Sequence, residues 1–177
     1  MAAAHKTVIV TGVSQGIGAG IVRAFLARGY NVVGTSRHAT KSKELSASER
    51  LALIDGDIGQ FETAQKTVEL AIKKFGFIHA LVANAGIYLV KPFTEYTRDD
   101  FRALVSTNLE GFIYIAQLAV KQMQAQKSGG SIVTITAALA DNPIAGVPAS
   151  VAMITKGGLN AANEKSGFRM RGRAHSI

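Results

Sequence analysis

The stretch that decides the fold, residues 7–18, reads Thr7-Val8-Ile9-Val10-Thr11-Gly12-Val13-Ser14-Gln15-Gly16-Ile17-Gly18. Its first half is β-branched without polar alternation, which predicts a strand buried on both faces. Apolar residues then recur at helical spacing from Ile17 to Leu26, and Gly29 is placed to end that helix. The three glycines therefore lie in a turn between a strand and a helix, where unpaired backbone N–H groups favour an anion.

The rest of the chain repeats this alternation of apolar strands and amphipathic helices. Strands are predicted at residues 6–10, 31–35, 51–54, 78–83 and 131–136. Helices are predicted at residues 17–28, 60–75, 99–126 and 151–164, with one short helix within 38–50. Buried strands joined by helices predict an α/β fold, a doubly wound parallel sheet (Rossmann-like) of three layers and five strands. We expect one domain over residues 1–162 and an irregular basic tail over 163–177.

Composition excludes several classes of function. The chain has 177 residues, enough for one hydrophobic core, and no cysteine, which rules out disulfides and thiolate metal sites. The net charge of +8 is scattered apart from the tail, so nucleic-acid binding is not expected. We expect no membrane partner, because no apolar run approaches the roughly 20 residues that a span needs, and no metal. The start of the chain lacks the pattern of a signal peptide, which favours the cytoplasm.

The spacing Gly-x3-Gly-x-Gly, preceded by Thr11, resembles the short-chain dehydrogenase/reductase family. Further segments match that family in order, namely Asp57 with Ile58, Asn84-Ala85-Gly86, Asn108 and Lys156. The resemblance implies an NAD(P)(H)-binding oxidoreductase that acts on a carbonyl or alcohol substrate. It assigns Asn108 and Lys156 to the catalytic site, with Asn108 organising a water in the proton relay. The expected cofactor-binding residues are Gly12, Ser14, Gln15, Gly16, Ile17, Gly18, Ser36, Arg37, Asp57, Ile58, Asn84, Ala85, Gly86 and Lys156.

The end of the second strand favours NADP over NAD. NAD users usually carry an acidic residue there, which binds the ribose 2′-hydroxyl. Here the segment reads Gly34-Thr35-Ser36-Arg37-His38, without a carboxylate. Ser36 can donate a hydrogen bond to a 2′-phosphate, and Arg37 can pair with one bidentately.

Two residues that the family uses for chemistry are absent. The family's general acid/base is a tyrosine four residues before the active-site lysine, and that position is Ala152. The family's serine on the loop after the fifth strand aligns with Ala138. Tyr88 follows the Asn-Ala-Gly segment and is the one tyrosine that we expect could reach the cleft mouth. Three hypotheses stay open: an oxidoreductase with lost or altered activity; a non-catalytic, regulatory or decayed dinucleotide-binding protein; and, as the least expected, a nucleic-acid-binding role of the basic tail.

The C-terminal end also departs from the family. Family members continue into further strands, so the resemblance implies that this chain is truncated and lacks the last strands of the sheet. Residues 163–177 lose the apolar periodicity, and a frameshift near residue 162 is our hypothesis for this loss. The helices that begin at Asp99 and Val151 resemble the pair that forms the family's dimer interface, so we expect a homo-oligomer.

Overall fold

A parallel sheet of five strands forms the centre of the computed structural model, which describes residues 5–166. The strands are β1 (Thr7–Thr11), β2 (Asn31–Ser36), β3 (Leu51–Asp55), β4 (Ala80–Ala83) and β5 (Ser131–Thr134). Their order across the sheet is β3-β2-β1-β4-β5, and every neighbouring pair is parallel. The order reverses direction at β1, so a crevice opens between the carboxyl ends of β1 and β4, where such sheets bind ligands.

Helices connect the strands and cover both faces of the sheet. They are α1 (Gly16–Ala27), α2 (Phe61–Phe75), α3 (Arg98–Val105), α4 (Gly111–Ala125) and α5 (Ser150–Ser166). A π-helical turn, Ser106–Glu110, joins α3 to α4 without interruption. Short 3₁₀ turns occupy Ala39–Lys41, Phe93–Glu95 and Ala138–Ala140. The predicted α/β fold class, with five parallel strands between two helical layers, is confirmed.

Alternate residues of β1 belong to different hydrophobic clusters. Ile9 packs in the cluster that contains Leu81 and Ile115. Val8 and Val10 pack in the other cluster, on the α1 side. All five residues of β1 are buried, because helices cover the strand on both faces. This double burial is why the segment reads as a continuous apolar run rather than an alternating one.

Some predicted boundaries needed correction. Strand β4 begins at Ala80 rather than at residue 78, and the N–H of Ile78 donates to the Gln126 side chain instead of joining the ladder (2.8 Å). Strand β5 ends at Thr134 rather than at residue 136. Helix α5 continues to Ser166, past the predicted domain end at 162. The remaining part of the predicted basic tail, residues 167–177, lies outside the described residues.

One expectation about apolar runs was wrong. In the described part of the chain, the continuous helix Arg98–Ala125 is long and apolar enough, by length and composition alone, to cross a membrane. The helix packs its residues Phe112, Ile115, Ala116, Ala119 and Met123 in the main hydrophobic cluster. Core helices reach the same length and composition, and this packing accounts for part of the apolar composition, since 39% of the apolar window is buried.

Candidate dinucleotide site

The glycine-rich turn is built so tightly that side chains would not fit at two of its glycines. Gly12 has φ +73°, and a Cβ there would lie 2.8 Å from Ala85 Cα. A Cβ at Gly18 would overlap the carbonyl oxygen of Gly12 and lie 2.7 Å from Asn84 Nδ2. Gly16 has φ +59° with open space beside it, which leaves room for a ligand against the backbone. These contacts let α1 begin directly over the end of β1.

Asn84 and Thr11 tie the ends of β4 and β1 together. Asn84 Nδ2 donates to the carbonyl oxygens of Thr11 (2.9 Å) and Gly12 (3.1 Å). In return, Thr11 Oγ1 accepts from the N–H groups of Asn84 (3.1 Å) and Ala85 (3.0 Å). The four hydrogen bonds fix the spacing of the two strand ends at the point where the sheet order reverses. No motif in the sequence predicted this role of Thr11.

A cavity of about 720 Å³ opens at this edge of the sheet. Every residue predicted to bind the cofactor lines it, from Gly12 on the turn to Lys156 on α5. The structure adds residues that sequence reasoning did not place there, namely Thr35, His38, Gly56, Ile87, Thr107, Ile135, Thr136 and Ala137. Most of these are neighbours in sequence of predicted residues, so their proximity to a motif was the available signal.

The lining of the cavity fits a phosphate-bearing dinucleotide. The oxygens Thr35 Oγ1 and Ser36 Oγ are buried and have no hydrogen-bond partner among the described residues. Arg37 is exposed beside them at the end of β2. The first turn of α1 supplies backbone N–H groups without intrahelical acceptors, which suit a diphosphate. Side-chain donors at the end of β2 and backbone donors at the start of α1 therefore lie along one cavity.

Asp57 also lines the cavity, and its side chain is oriented by its own loop. Asp57 Oδ1 accepts a hydrogen bond from the N–H of Gly59 (3.0 Å). Ile58 beside it is buried and packs in the main hydrophobic cluster. The pair therefore combines a fixed polar group at the cavity wall with an apolar anchor in the core.

Lys156 reaches the cavity from α5. Its Nζ donates to the carbonyl oxygen of Ile135 (2.9 Å) at the end of β5. A Cβ at Gly86 would lie 2.9 Å from Lys156 Nζ, so the ammonium group lies directly against that glycine. Burial lowers the pKa of Lys156 from its ordinary value, because desolvation disfavours the charged form.

Asn108 lies beside the cavity rather than in its wall. It is buried in the π-helical turn, where its Oδ1 accepts from the N–H of Ile87 (2.8 Å). Its Nδ2 donates to the carbonyl oxygen of Ile87 (3.1 Å) and to Thr155 Oγ1 (2.9 Å). The side chain thus holds the loop after Asn-Ala-Gly against α5. Such turns interrupt helices frequently at functional sites.

Ala152 is not among the residues that line the cavity. Its side chain is fully buried in a small cluster with Leu104 and Val151, covered by Ile87 and Leu89. A phenol at this position would have to displace those side chains.

The loop after β5 supplies one hydroxyl to the cavity. Ala138, aligned with the family's serine, is exposed and is not among the lining residues, whereas Ala137 is. An alanine stands at either position, so neither offers a hydroxyl. Thr136 lines the cavity, as does Tyr88, whose side chain is 49% exposed at the cleft. Within residues 5–166, no group of three or more His, Asp or Glu residues could hold a metal ion.

The fold and the site define a dinucleotide-binding α/β protein, with a glycine-rich turn at the reversal point of a parallel sheet. The family described as short chain dehydrogenase matches residues 6–167. The chain therefore belongs to the short-chain dehydrogenase family of oxidoreductases.

Two relatives and one solved structure show the extent of the similarity. The chain is 36% identical over 140 residues to an L-rhamnose-1-dehydrogenase of Scheffersomyces stipitis, covering 74% of this chain and 54% of that protein. It is 33% identical over 140 residues to an L-rhamnose 1-dehydrogenase (NAD(P)(+)) of Azotobacter vinelandii, covering 74% and 55%. A short-chain dehydrogenase structure described as glucose/ribitol dehydrogenase, from Brucella melitensis, superposes with a TM-score of 0.79 at 31% identity, covering 92% and 70%. The chain spans about half the length of the two relatives.

Proposed function

We propose that this chain binds NADP(H) in the cavity at the carboxyl edge of its sheet, as an oxidoreductase of carbonyl or alcohol substrates. The observation that carries the proposal is the end of β2, where Ser36 Oγ is buried without a hydrogen-bond partner in the described part of the chain and Arg37 follows it. No carboxylate stands among Gly34-Thr35-Ser36-Arg37-His38 to bind a free 2′-hydroxyl. A guanidinium pairs strongly with a phosphate, and this favours NADP over NAD.

The cofactor would supply a hydride, and the chain's own groups would position it. The first turn of α1 would hold the diphosphate, and Lys156 would hold the nicotinamide ribose from α5. Asn108 keeps the Ile87 loop in place through two hydrogen bonds and connects it to α5 through a third, to Thr155 Oγ1. The relative of A. vinelandii carries NAD(P)(+) in its name, which supports the class of cofactor.

A second candidate function is dinucleotide binding without catalysis. Ala152 favours it, because an alanine can neither donate nor accept the proton that a carbonyl reduction requires. A positioned proton donor is typically worth 10²–10⁴-fold in rate, so its loss is severe. Among the several hydroxyl groups that line the described cavity, Tyr88 and Thr136 are the candidates that an active protein would use instead.

Calorimetric titration with NADPH and NADH tests the proposal. We expect NADPH to bind more tightly than NADH. We expect Arg37→Gln to weaken the binding of NADPH and to leave the binding of NADH almost unchanged. Arg28→Gln is the matched control, since Arg28 is exposed at the end of α1 and donates to the Ala24 carbonyl oxygen. If neither NADPH nor NADH binds, the proposal is refuted. Tighter binding of NADH would refute the assignment of Arg37.

A rate measurement separates the two candidate functions. NADPH consumption is followed with a panel of small ketones, aldehydes and aldoses, using wild type and Tyr88→Phe. Turnover that falls in Tyr88→Phe supports the oxidoreductase with a substituted proton donor. NADPH binding without turnover of any of them supports the non-catalytic protein.

We also propose a homo-oligomer formed through α3, α4 and α5. Large apolar side chains are exposed on these helices, with Phe101 51%, Ile113 44% and Ile154 62% accessible. Sedimentation of wild type and Ile113→Glu tests this proposal. A wild type that sediments as a monomer at micromolar concentration would contradict it.

A further inference from the structure

A short segment between β2 and β3 folds back over the glycine-rich turn. Ser42 Oγ donates to the carbonyl oxygen of Ser14 (2.7 Å), and Ser42 Oγ accepts from the N–H of Glu44 (3.2 Å). Ser14 lies inside the turn, between its first two glycines. The segment is therefore attached to the turn through its middle, and the side chain of Glu44 is brought to the start of α1.

The carboxylate of Glu44 binds the first residue of α1. Its Oε1 accepts a hydrogen bond from the N–H of Gly16 (3.0 Å), and its Oε2 pairs with Arg23 Nη1 (3.1 Å). Arg23 Nη1 also donates to the backbone oxygen of Glu44 (3.1 Å). The hydrogen bond from Gly16 and the interactions with Arg23 lower the pKa of Glu44 from its ordinary value. The carboxylate is thus negative near neutral pH.

This placement puts a negative charge where a diphosphate would be attracted. The first N–H groups of a helix and its dipole together favour an anion. Gly16 lines the cavity, and one of the donors at this helix start is already taken by an anion of the chain itself. Arg23 lies beside that anion and offsets its charge.

We propose that the Glu44 carboxylate weakens binding of phosphate-bearing ligands at this turn, with Arg23 acting in the opposite direction. The inference rests on the proposed function, because it concerns the same dinucleotide site. Glu44 acts on the diphosphate that NADPH and NADH share, whereas Arg37 acts on the 2′-phosphate. Removing the charge of Glu44 should therefore tighten the binding of both dinucleotides. Removing the charge of Arg23 should weaken the binding of both.

The test is calorimetric titration of NADPH and NADH into wild type, Glu44→Gln, Arg23→Gln and Glu49→Gln at low salt. Glutamine retains an oxygen that can accept from the N–H of Gly16, so Glu44→Gln removes the charge and conserves the contact. We expect it to bind both dinucleotides about two- to five-fold more tightly, as for a charge at a helix start. The gain should shrink in 0.5 M NaCl. Glu49→Gln removes the same charge from an exposed position of the same segment and should change neither affinity.

The opposite signs of the two variants distinguish an electrostatic role from a structural one. If the Glu44–Arg23 pair only held the turn together, loss of either residue would weaken dinucleotide binding. The inference is overturned if Glu44→Gln binds no more tightly than wild type, if Glu49→Gln tightens binding equally, or if Arg23→Gln tightens it. A wild type that binds neither dinucleotide would instead refute the proposed function, and the inference with it. Thermal midpoints without ligand verify that each variant is folded.

Discussion

The substitution Gly18→Ala tests the close approach of α1 to the end of β1. The added Cβ would overlap the Gly12 carbonyl oxygen and lie 2.7 Å from Asn84 Nδ2. A backbone carbonyl has no alternative rotamer, so the turn and the helix must separate. Overpacking of this kind typically costs 1–3 kcal/mol, and we expect about 3 kcal/mol because the obstacle is backbone. For a chain of this length, that corresponds to a fall in Tm of about 6–12 °C.

Gly20→Ala is the matched control in the same helix. A Cβ there has only Arg23 Nη2 within reach, at 3.9 Å, and Gly20 does not have a positive φ. Alanine in a helix interior gains about 0.5–1 kcal/mol over glycine, so this variant should melt at a higher temperature than wild type. Both substitutions carry the same gain in helix propensity, and their difference therefore isolates the steric clash.

Thermal unfolding followed by circular dichroism compares the two variants, and titration with NADPH measures the effect on binding. We expect Gly18→Ala to be less stable and to bind the dinucleotide poorly, because the N–H groups of the first helical turn move with the helix. If Gly18→Ala melts at or above the temperature of Gly20→Ala, the packing argument is refuted.

Three further predictions concern the strand ends and the buried groups. Asn84→Ala removes the side-chain donor to the Thr11 and Gly12 carbonyl oxygens and should cost about 1–3 kcal/mol in urea unfolding, whereas Asn142→Ala, at an exposed position, should cost little. Burial lowers the pKa of His79 from 6.5, with the Lys6 charge adding to it, and its Nδ1 accepts from the Thr7 N–H. The unfolded chain therefore binds this proton more readily, so stability should fall as pH drops below about 6.5, and His79→Asn should flatten that dependence in urea titrations at pH 5–8. Equal slopes for the two proteins would contradict the role of His79. Ala152→Tyr should lower stability by about 1–3 kcal/mol, because the site is fully buried; an unchanged Tm together with new ketone reduction would disprove this reasoning.

Much of the site could be predicted because its signals are local. The turn glycines follow from steric limits on φ and from a strand and helix that adjoin them. The carboxyl ends of parallel strands meet at one edge, so motifs after β1, β2, β3 and β4 were expected to converge, and all of them line the cavity. Lys156 was predicted from the family resemblance and reaches the same cavity from α5.

Other features depend on contacts between distant residues, which no local pattern encodes. The sequence predicted that Ala152 lacks a proton-transfer group, but only packing shows that its side chain is buried in a cluster with Leu104 and Val151. Asn108 was assigned to the proton relay, and the structure adds that the described hydrogen bonds of its side chain hold the Ile87 loop and Thr155.

The amino-acid sequence by itself determined the order of strands and helices and the tight glycine turn, because periodicity and steric limits act over a few residues. Only the tertiary structure brought Glu44 onto the N–H of Gly16, 28 residues away in sequence, within 3.0 Å. The segment between β2 and β3 is polar and carries no periodicity, so its path is decided by tertiary contacts: its hydrogen bonds with the turn and with Asp55, and the packing of Ala39 and Leu45. The charge that a phosphate meets at this site therefore depends on a contact that appears only when the chain is folded.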